Sequence, residues 1–290
     1  MKPINVLSLF NGMNTGRQAL ENVGIKVNKY YSSEIKPYAI ELTQYHFPDT
    51  IQVGDITKWR EWNIDWKSID LVLSGSPCQD LSAVGKRVGI NGKKSSLFFV
   101  FVEILEHIKS LNPKVLFLQE NVGSALKLDV GIMSRALGVY PVRINSSLVT
   151  AQLRDRYYWS NIKTKEYGMF GDIITDIPQP KEKGIILKDI ITSGNVDRDK
   201  SLCLIERYIG AVPKNEPAIQ KFLNNRVDFG SYTVVLERNL LRPFNKIEMC
   251  RLQGFPDDYC DMLSTSKAGS LLGDGWTLPI IEHIFKFIKL

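Results

Sequence analysis

The fold is decided by residues 69–82, which read Ile69-Asp70-Leu71-Val72-Leu73-Ser74-Gly75-Ser76-Pro77-Cys78-Gln79-Asp80-Leu81-Ser82. The short apolar run at the start predicts a buried strand. Gly75 and Pro77 interrupt the strand pattern and leave Cys78 in a loop just past the strand end. In open α/β sheets ligands bind outside the carboxyl ends of the strands. Position alone leaves two interpretations open, a reactive cysteine or a half-buried loop cysteine without a role.

The composition limits the classes of protein to consider. A chain of 290 residues with 44% hydrophobic residues can bury one large domain, or one large domain and a small one. The net charge of +6 is compatible with a nucleic-acid partner. The four cysteines and three histidines show no metal-site spacing, so no metal is predicted. We see no signal peptide and no apolar run of roughly 20 residues, and we expect an intracellular protein outside the membrane.

Polar or glycine residues stand at the ends of three further expected strands. A first strand, 4–10, runs into the turn at Gly12, a second ends at Glu34, and a third ends near Asp55. Together with Pro77 these residues predict a site for an adenosyl group. Glu34 suits two ribose hydroxyls, or is an ordinary solvated glutamate. Asp55 suits an adenine amino group, or caps a turn. The glycine spacing is not G-x-G-x-x-G, so a dinucleotide site is not supported.

A second group of polar residues lies further along the chain. Glu120 ends another buried strand, next to the strand end that carries Cys78. Arg154 and Arg156 would face the same way in an extended segment, or would belong to a surface ion-pair network. The loop at 83–96 combines glycines with four basic residues, which indicates either phosphate contacts and closure over DNA or a solvated loop.

Two more elements are expected beyond this loop. The apolar residues 97–111 predict a core helix that Ser95 or Ser96 would cap, and residues 142–149 predict a strand.

The chain divides into three regions by character. Residues 1–162 predict a catalytic and cofactor-binding domain, and 163–238 predict a small irregular region that recognises the target. Residues 239–290 return to the catalytic domain, opening with a helix that Asn245 and Glu248 would cap and Gly254 would end. Trp276 either stacks on an adenine ring or packs in the core.

Taken together, these motifs resemble the DNA cytosine-5 methyltransferase family. The matching stretches follow in family order and cover nearly the whole chain except 163–238: Phe10-x-Gly12, Pro77-Cys78-Gln79, Glu120-Asn121-Val122, Gln152-x-Arg154-x-Arg156, Arg251-Leu252-Gln253-Gly254-Phe255-Pro256 and Leu272-Gly273-Asp274-Gly275-Trp276. The residues of these motifs are most similar to those in the catalytic domains of de novo methyltransferases, and the compact chain resembles bacterial or phage enzymes. Two positions depart from the family: Asp274 replaces the usual Asn, and Asn11 replaces Asp or Ser.

The resemblance implies an α/β fold, with a Rossmann-like mixed sheet of the S-adenosylmethionine-dependent methyltransferases, helices on both faces and a small target-recognition unit. It implies S-adenosylmethionine as cofactor and double-stranded DNA as partner, in the bacterial cytoplasm at the nucleoid, or in the nucleus of a eukaryote. The implied catalytic residues are Cys78, Glu120, Arg154 and Arg156. The implied cofactor contacts are Phe10, Gly12, Thr15, Glu34, Ile35, Asp55, Ile56, Pro77, Asp274 and Trp276. The implied DNA contacts are Val84, Lys86, Arg87, Lys93 and Lys94.

Two alternatives stay open. One branch of the family with the same motifs methylates tRNA, and a test on duplex DNA against tRNA separates the two substrates. A catalytically silent DNA-binding relative would be expected to lose Cys78 or Glu120, and both are present. Asp274 keeps the silent alternative open, because failure to bind S-adenosylmethionine would support it.

Overall fold

The structure, a computed structural model, describes residues 2–77, 96–169, 171–206, 209–212, 220, 224 and 233–289. The expectations for Cys78, Val84, Lys86, Arg87, Lys93 and Lys94 fall outside these residues. Two compact units are present. The first comprises Met1–Ile144, Asp155–Gln179 and Glu282–Leu290, and the second comprises Asn145–Arg154 and Pro180–Ile281.

The first unit is built on a mixed sheet, to which the described residues contribute seven strands in the order β3-β2-β1-β4-β5-β7-β6. The strands are β1 (Ile4–Leu9), β2 (Val27–Ser33), β3 (Ile51–Gln52), β4 (Leu71–Ser74), β5 (Leu116–Val122), β6 (Val142–Asn145) and β7 (Asp155–Ser160). Strands β1 to β5 pair in parallel, and β7 pairs antiparallel with β5. The carboxyl ends of β1, β2, β3, β4 and β5 therefore share one edge. The α/β class with a mixed sheet is confirmed.

Helices of the first unit supply much of its core. They are α1 (Thr15–Asn22), α2 (Pro37–His46), α3 (Leu97–Leu111) and α4 (Lys127–Leu137). Helix α3 has the bounds expected from its apolar sequence, and it buries Phe98, Phe101, Ile104, Leu105 and Ile108 at helical spacing. These residues join one cluster with Leu7, Val72 and Phe117 of the sheet. A hairpin, β8 (Thr164–Tyr167) and β9 (Asp172–Thr175), also belongs to this unit.

The second unit contains shorter elements. They are α5 (Leu187–Ile190), β10 (Val235–Glu237), β11 (Leu240–Arg242), α6 (Lys246–Gln253), α7 (Thr265–Asp274) and the first half of α8 (Leu278–Phe285). The cap expected for α6 is confirmed. The Asn245 side chain accepts from the Glu248 N–H, the Glu248 carboxylate accepts from the Asn245 N–H at 2.9 Å, and Gly254 ends the helix at φ 77°.

Several element bounds differ from the expectations. Strand β3 stops at Gln52, because Asp55 caps a 3₁₀ helix over Ile56–Glu61. Strand β6 stops at Asn145, whose side chain accepts from the Ser147 N–H and starts another 3₁₀ turn. Strand β5 continues to Val122 through its pairing with β7, so Glu120 lies within the strand near its end.

The hairpin β8–β9 lies in the first unit. The division of the chain into three regions by role remains a prediction. We find no helix in the described ranges with the length and apolar character that crossing a bilayer requires.

Candidate active site at the strand ends

The turn between β1 and α1 is shaped by left-handed backbone. Phe10, Gly12 and Asn14 have φ values of 56°, 55° and 64°. Glycine adopts this conformation without steric cost, whereas Phe10 and Asn14 are strained there unless their surroundings hold them. The Asn11 N–H donates to the Ser33 carbonyl at 3.1 Å, which ties the turn to the end of β2. The main chain at Gly12 thus lies beside the end of the second strand.

Glu34 joins the first two strand ends through its carboxylate. Its Oε2 accepts from the Gly12 N–H at 2.8 Å, and its Oε1 accepts from the N–H groups of Ile35 at 2.7 Å and Lys36 at 2.9 Å. A carboxylate offers about four acceptor positions, so these three bonds leave room for a ligand hydroxyl. The neighbouring Ile35 side chain is 70% exposed, which offers an apolar surface beside the carboxylate.

The end of β3 is tied into the same edge. The Ser33 hydroxyl donates to the Gly54 carbonyl at 2.7 Å, which fixes the main chain just before Asp55. Asp55 caps the following 3₁₀ helix, because its Oδ1 accepts from both the N–H and the hydroxyl of Thr57 at 2.9 Å. The backbone hydrogen bond from Thr57 lowers the pKa of Asp55 below its ordinary value. The turn-capping role is therefore present, Ile56 is buried beneath it, and the adenine contact of Asp55 stays a prediction.

Asn14 is a site residue that the sequence interpretation missed. It is the residue before Thr15 at the start of α1, it is fully buried, and it makes no capping hydrogen bond. Neither its Nδ2 nor its Oδ1 has a partner among the described residues. Buried polar groups are nearly always satisfied, by protein, water or ligand. The Asn14 amide fits a polar ligand at this turn, and the N-terminus of α1 adds N–H groups that have no partner within the helix. Its place at a helix start was the signal in the sequence.

Glu120 and Arg156 form a shielded ion pair at the ends of β5 and β7. The Arg156 Nε lies 2.8 Å from the Glu120 Oε1, and the two side chains are 13% and 11% exposed. In the register Glu120 lies opposite Tyr158, so Arg156, two residues earlier, presents its side chain on the same face. The Arg156 Nη1 also donates to the Asp155 carbonyl at 2.8 Å. The carboxylate oxygens of Glu120, which accept hydrogen bonds, therefore lie beside the guanidinium N–H groups of Arg156, which donate them. Hydrogen bonds between such charged groups are stronger than those between neutral groups.

The turn after β4 is fastened to β5 before it reaches Cys78. Ser76 is buried, and its hydroxyl oxygen accepts from the Gln119 Nε2 at 2.9 Å and from the Asn121 Nδ2 at 3.3 Å. Pro77 follows, half-buried, as the last described residue of the turn. The sequence interpretation did not single out Gln119, although a polar residue within an apolar strand was a visible signal.

In the second unit the remaining motif residues form a buried network. Arg154 is 2% exposed, and its Nη2 donates to the Gly275 carbonyl at 2.7 Å. Its Nη1 donates to the Leu204 carbonyl at 3.4 Å and contacts the Cys203 Sγ at 3.2 Å. Arg154 thereby fixes the main chain between Asp274 and Trp276. Asp274 is exposed at the end of α7, and Trp276 is half-buried.

Two glutamines complete that network. The Gln152 Nε2 donates to the Leu252 carbonyl at 3.2 Å, and its Oε1 accepts from the Leu204 N–H at 2.9 Å. The Gln253 Oε1 accepts from the Thr277 hydroxyl at 2.8 Å, and its Nε2 donates to the Leu272 carbonyl. Three sequence motifs are thus bonded to one another within one unit, although the first precedes the second by 100 residues at the bond between Gln152 and Leu252.

A glycine turn after the first strand and a carboxylate at the end of the second are typical of α/β folds that bind a nucleotide-like ligand at the strand ends. Comparison with known families narrows this class. Residues 4–208 match the family of C-5 cytosine-specific DNA methylases. The chain belongs to that family.

Several relatives are named methyltransferases. The Type II methyltransferase M.NgoBV of Neisseria gonorrhoeae is 32% identical over 174 residues, which cover 58% of this chain and 39% of the relative. The Type II methyltransferase M1.ScrFI of Lactococcus lactis subsp. cremoris is 28% identical over 307 aligned residues, which cover 96% of this chain and 76% of the relative. The orphan methyltransferase M.SPRI of Bacillus phage SPR is 32% identical over 178 residues, 56% of this chain and 38% of the relative. The chain spans about two-fifths of the length of M.NgoBV.

Solved structures share the fold at low sequence identity. The Entamoeba histolytica methyltransferase EhMeth superposes with a TM-score of 0.68 at 15% identity, covering 99% of this chain and 98% of the other. The S. pombe Dnmt2 methyltransferase gives a TM-score of 0.65 at 17% identity, covering 98% and 97%. These likenesses concern the fold.

Proposed function

We propose that the chain transfers a methyl group from S-adenosylmethionine to carbon 5 of cytosine in duplex DNA. The observation that carries the proposal is the shielded Glu120–Arg156 ion pair at the strand end beside the turn that leads to Cys78. Membership of the C-5 cytosine-specific DNA methylase family and the relatives named Type II methyltransferases support the same reaction class.

The chemistry explains why a thiol and a carboxyl group are needed together. Carbon 5 of cytosine is a poor nucleophile within the aromatic ring. Addition of the Cys78 thiolate to carbon 6 would make carbon 5 an enamine carbon, which would take the methyl group with release of S-adenosylhomocysteine. Loss of the carbon 5 proton to a base would then expel the thiolate and restore the aromatic ring. A free thiol has a pKa near about 8.5, so positive charge from Lys86, Arg87 or Arg156 would increase the thiolate fraction.

Glu120 would hydrogen-bond ring nitrogen 3 and the exocyclic amine, and so offset the charge that builds when sulfur adds. Arg156 would orient Glu120 through their 2.8 Å contact and hold the ring carbonyl. The resemblance implies the same carbonyl contact for Arg154. The bonds of Arg154 to Gly275 and Leu204 support a positioning role beside Trp276 as well.

S-adenosylmethionine supplies an electrophilic methyl group when it is bound. The Asn14 amide, which has no hydrogen-bond partner within the part of the chain that the structure describes, the Glu34 carboxylate and the exposed Ile35 side chain fit an adenosyl ligand at the strand ends. The residues that would hold it are Phe10, Gly12, Thr15, Glu34, Ile35, Asp55, Ile56, Pro77, Asp274 and Trp276. The target carbon is hidden within a duplex, so the base must be extruded, at a cost of a few kcal/mol. Val84 would fill the space left in the stack, while Lys86, Arg87, Lys93 and Lys94 would contact phosphates.

The experiment is transfer of a labelled methyl group by the purified chain to matched duplex DNA and, in a parallel arm, to tRNA. We expect label in DNA, at cytosine by bisulfite sequencing, and no label with Cys78→Ala, which still binds S-adenosylhomocysteine. Near-normal turnover by Cys78→Ala would refute the covalent mechanism. Label in tRNA alone would refute DNA as substrate.

A further inference from the structure

Gln119 is a fully buried polar residue in the middle of the sheet. It lies in β5, with Ser74 of β4 and Trp159 of β7 as its paired neighbours, and follows the apolar residues 116–118. Burying an amide costs free energy unless hydrogen bonds replace its contacts with water. Its bonds therefore indicate what it does.

One nitrogen atom of Gln119 bonds to both strand ends of the candidate site. Its Nε2 donates to the Ser76 hydroxyl at 2.9 Å and to the main-chain carbonyl of Glu120 at 2.7 Å. Because side chains alternate along a strand, Glu120 points to the opposite face, where it pairs with Arg156. The amide thus links the turn that leads to Cys78 with the main chain of Glu120.

Stability alone does not account for an amide at this position. The Gln119 Oε1 is buried without a partner among the described residues. Leaving a buried acceptor unsatisfied costs about 1–3 kcal/mol, whereas apolar groups of the same shape are often nearly neutral. An unbranched apolar side chain would fill the same space without that cost.

We propose that Gln119 is a positioning residue for methyl transfer, which sets the separation between the turn at Ser76 and the carboxyl group of Glu120. The inference rests on the proposed function. It adds a residue that acts through two others and touches no reacting atom. Displacement of reacting groups by about 1 Å can lower a rate about 100-fold. Loss of the two hydrogen bonds of this amide should therefore lower the rate of methyl transfer.

The test is Gln119→Met, which keeps the length of the side chain and removes both the donor and the unsatisfied acceptor. We expect kcat for methylation of duplex DNA to fall on the order of 10- to 100-fold. We expect KM for DNA and the Kd for S-adenosylhomocysteine to stay unchanged. Gln44→Met is the matched control, because the Gln44 Nε2 also donates to a main-chain carbonyl, that of Thr50, at 2.9 Å in the same unit. Its kcat should equal that of the wild type.

Ser76→Ala and the double variant complete a cycle. If the amide acts through Ser76, the double variant loses no more kcat than the worse single variant. The inference would be overturned if the kcat losses of the two single variants multiply in the double variant, or if Gln119→Met has a wild-type kcat.

If Gln119→Met fails to fold, Ser76→Ala alone tests the inference. A lower kcat at unchanged KM supports the inference, and an unchanged kcat rejects it. A wild-type chain without methyl transfer would instead defeat the proposed function, and the inference with it.

Discussion

Glu120 contacts Arg156 at short distance in a place from which water is largely excluded, and electrostatic interactions are stronger where water is excluded. We expect Glu120→Gln to lower kcat by about 10²–10⁴-fold, the usual cost of removing a positioned acid or base. Steady-state methylation of duplex DNA measures it. The control is Glu103→Gln, which breaks an exposed ion pair with Arg60 at 3.0 Å and should leave kcat unchanged. Equal rates for wild type and Glu120→Gln would remove Glu120 from the reaction.

Asp274 is exposed at the end of α7, one residue before the carbonyl that Arg154 holds. The family usually has asparagine there. If the carboxylate only replaces an amide in a structural role, Asp274→Asn should keep or strengthen the affinity for S-adenosylmethionine, as measured by calorimetric titration. A clear loss of affinity would instead show that the acid makes a contact of its own.

Helix α1 packs closely on the sheet through Gly16. A Cβ atom there would meet the Leu73 side chain, and it would lie 3.1 Å from the Tyr30 hydroxyl. We expect Gly16→Ala to lower the free energy of unfolding by about 1–3 kcal/mol, because overpacking a dense core displaces its neighbours. Gly131→Ala in α4 is the control, since the nearest atom is the flexible end of Arg135 at 3.4 Å. It should be neutral or stabilising by up to about 1 kcal/mol. Urea unfolding measures both, and a smaller loss for Gly16 than for Gly131 would contradict the packing argument.

The cap of α6 makes stability depend on pH. Burial opposes ionisation of Glu248, but hydrogen bonds from Arg242 and from the N–H groups of Thr192 and Asn245 outweigh it and lower its pKa. A lowered pKa stabilises the fold above the unfolded value of about 4.3, and this stabilisation is lost as the pH falls through the folded value.

We therefore expect Glu248→Gln to lose about 3–5 kcal/mol of unfolding free energy at neutral pH, because Arg242 loses a buried partner. The difference from the wild type should shrink below about pH 4. Glu237→Gln, which removes the more exposed partner of Arg242 at 2.6 Å, should cost less. Denaturant unfolding between neutral and acid pH measures these differences. A constant difference across that range would reject Glu248 as the titrating group.

Local signals in the sequence were sufficient for several elements. The bounds of α3 followed from an apolar run at helical spacing, and the cap of α6 followed from Asn245 and Glu248. The extension of β5 to Val122 was not visible, because it depends on pairing with β7 more than thirty residues later. Gln119 and Asn14 stood out in the sequence as polar residues at unusual positions, but their roles depend on distant contacts and were not visible there. A buried amide is recognisable only when its distant partners, or their absence, are known.

At the scale of the whole molecule, a net charge of +6 favours association with a polyanion. Each phosphate contact contributes a slope of about −0.9 to log K against log salt on duplex DNA. We expect replacement of Lys86, Arg87, Lys93 and Lys94 by Ala to weaken binding alike on paired and mispaired duplexes. It should also reduce the magnitude of that slope by up to about 3.6, or about 0.9 for each of the four side chains. Fluorescence anisotropy over a salt series measures it. An unchanged slope would place the phosphate contacts elsewhere.

Residues 282–290 belong to the first unit, although residues 180–281, which belong to the second unit, separate them from the rest of it in sequence. The Glu282 carboxylate accepts from the Asn22 side chain at 2.5 Å, the His283 ring contacts the Pro178 carbonyl at 2.8 Å, and Ile284 and Phe285 are buried. Contacts of such high sequence separation form late and slowly. During synthesis the strands of the first unit are therefore made well before residues 282–290. Until that segment is made, the surface against which Ile284 and Phe285 are buried stays uncovered, and uncovered apolar surface favours association with other chains.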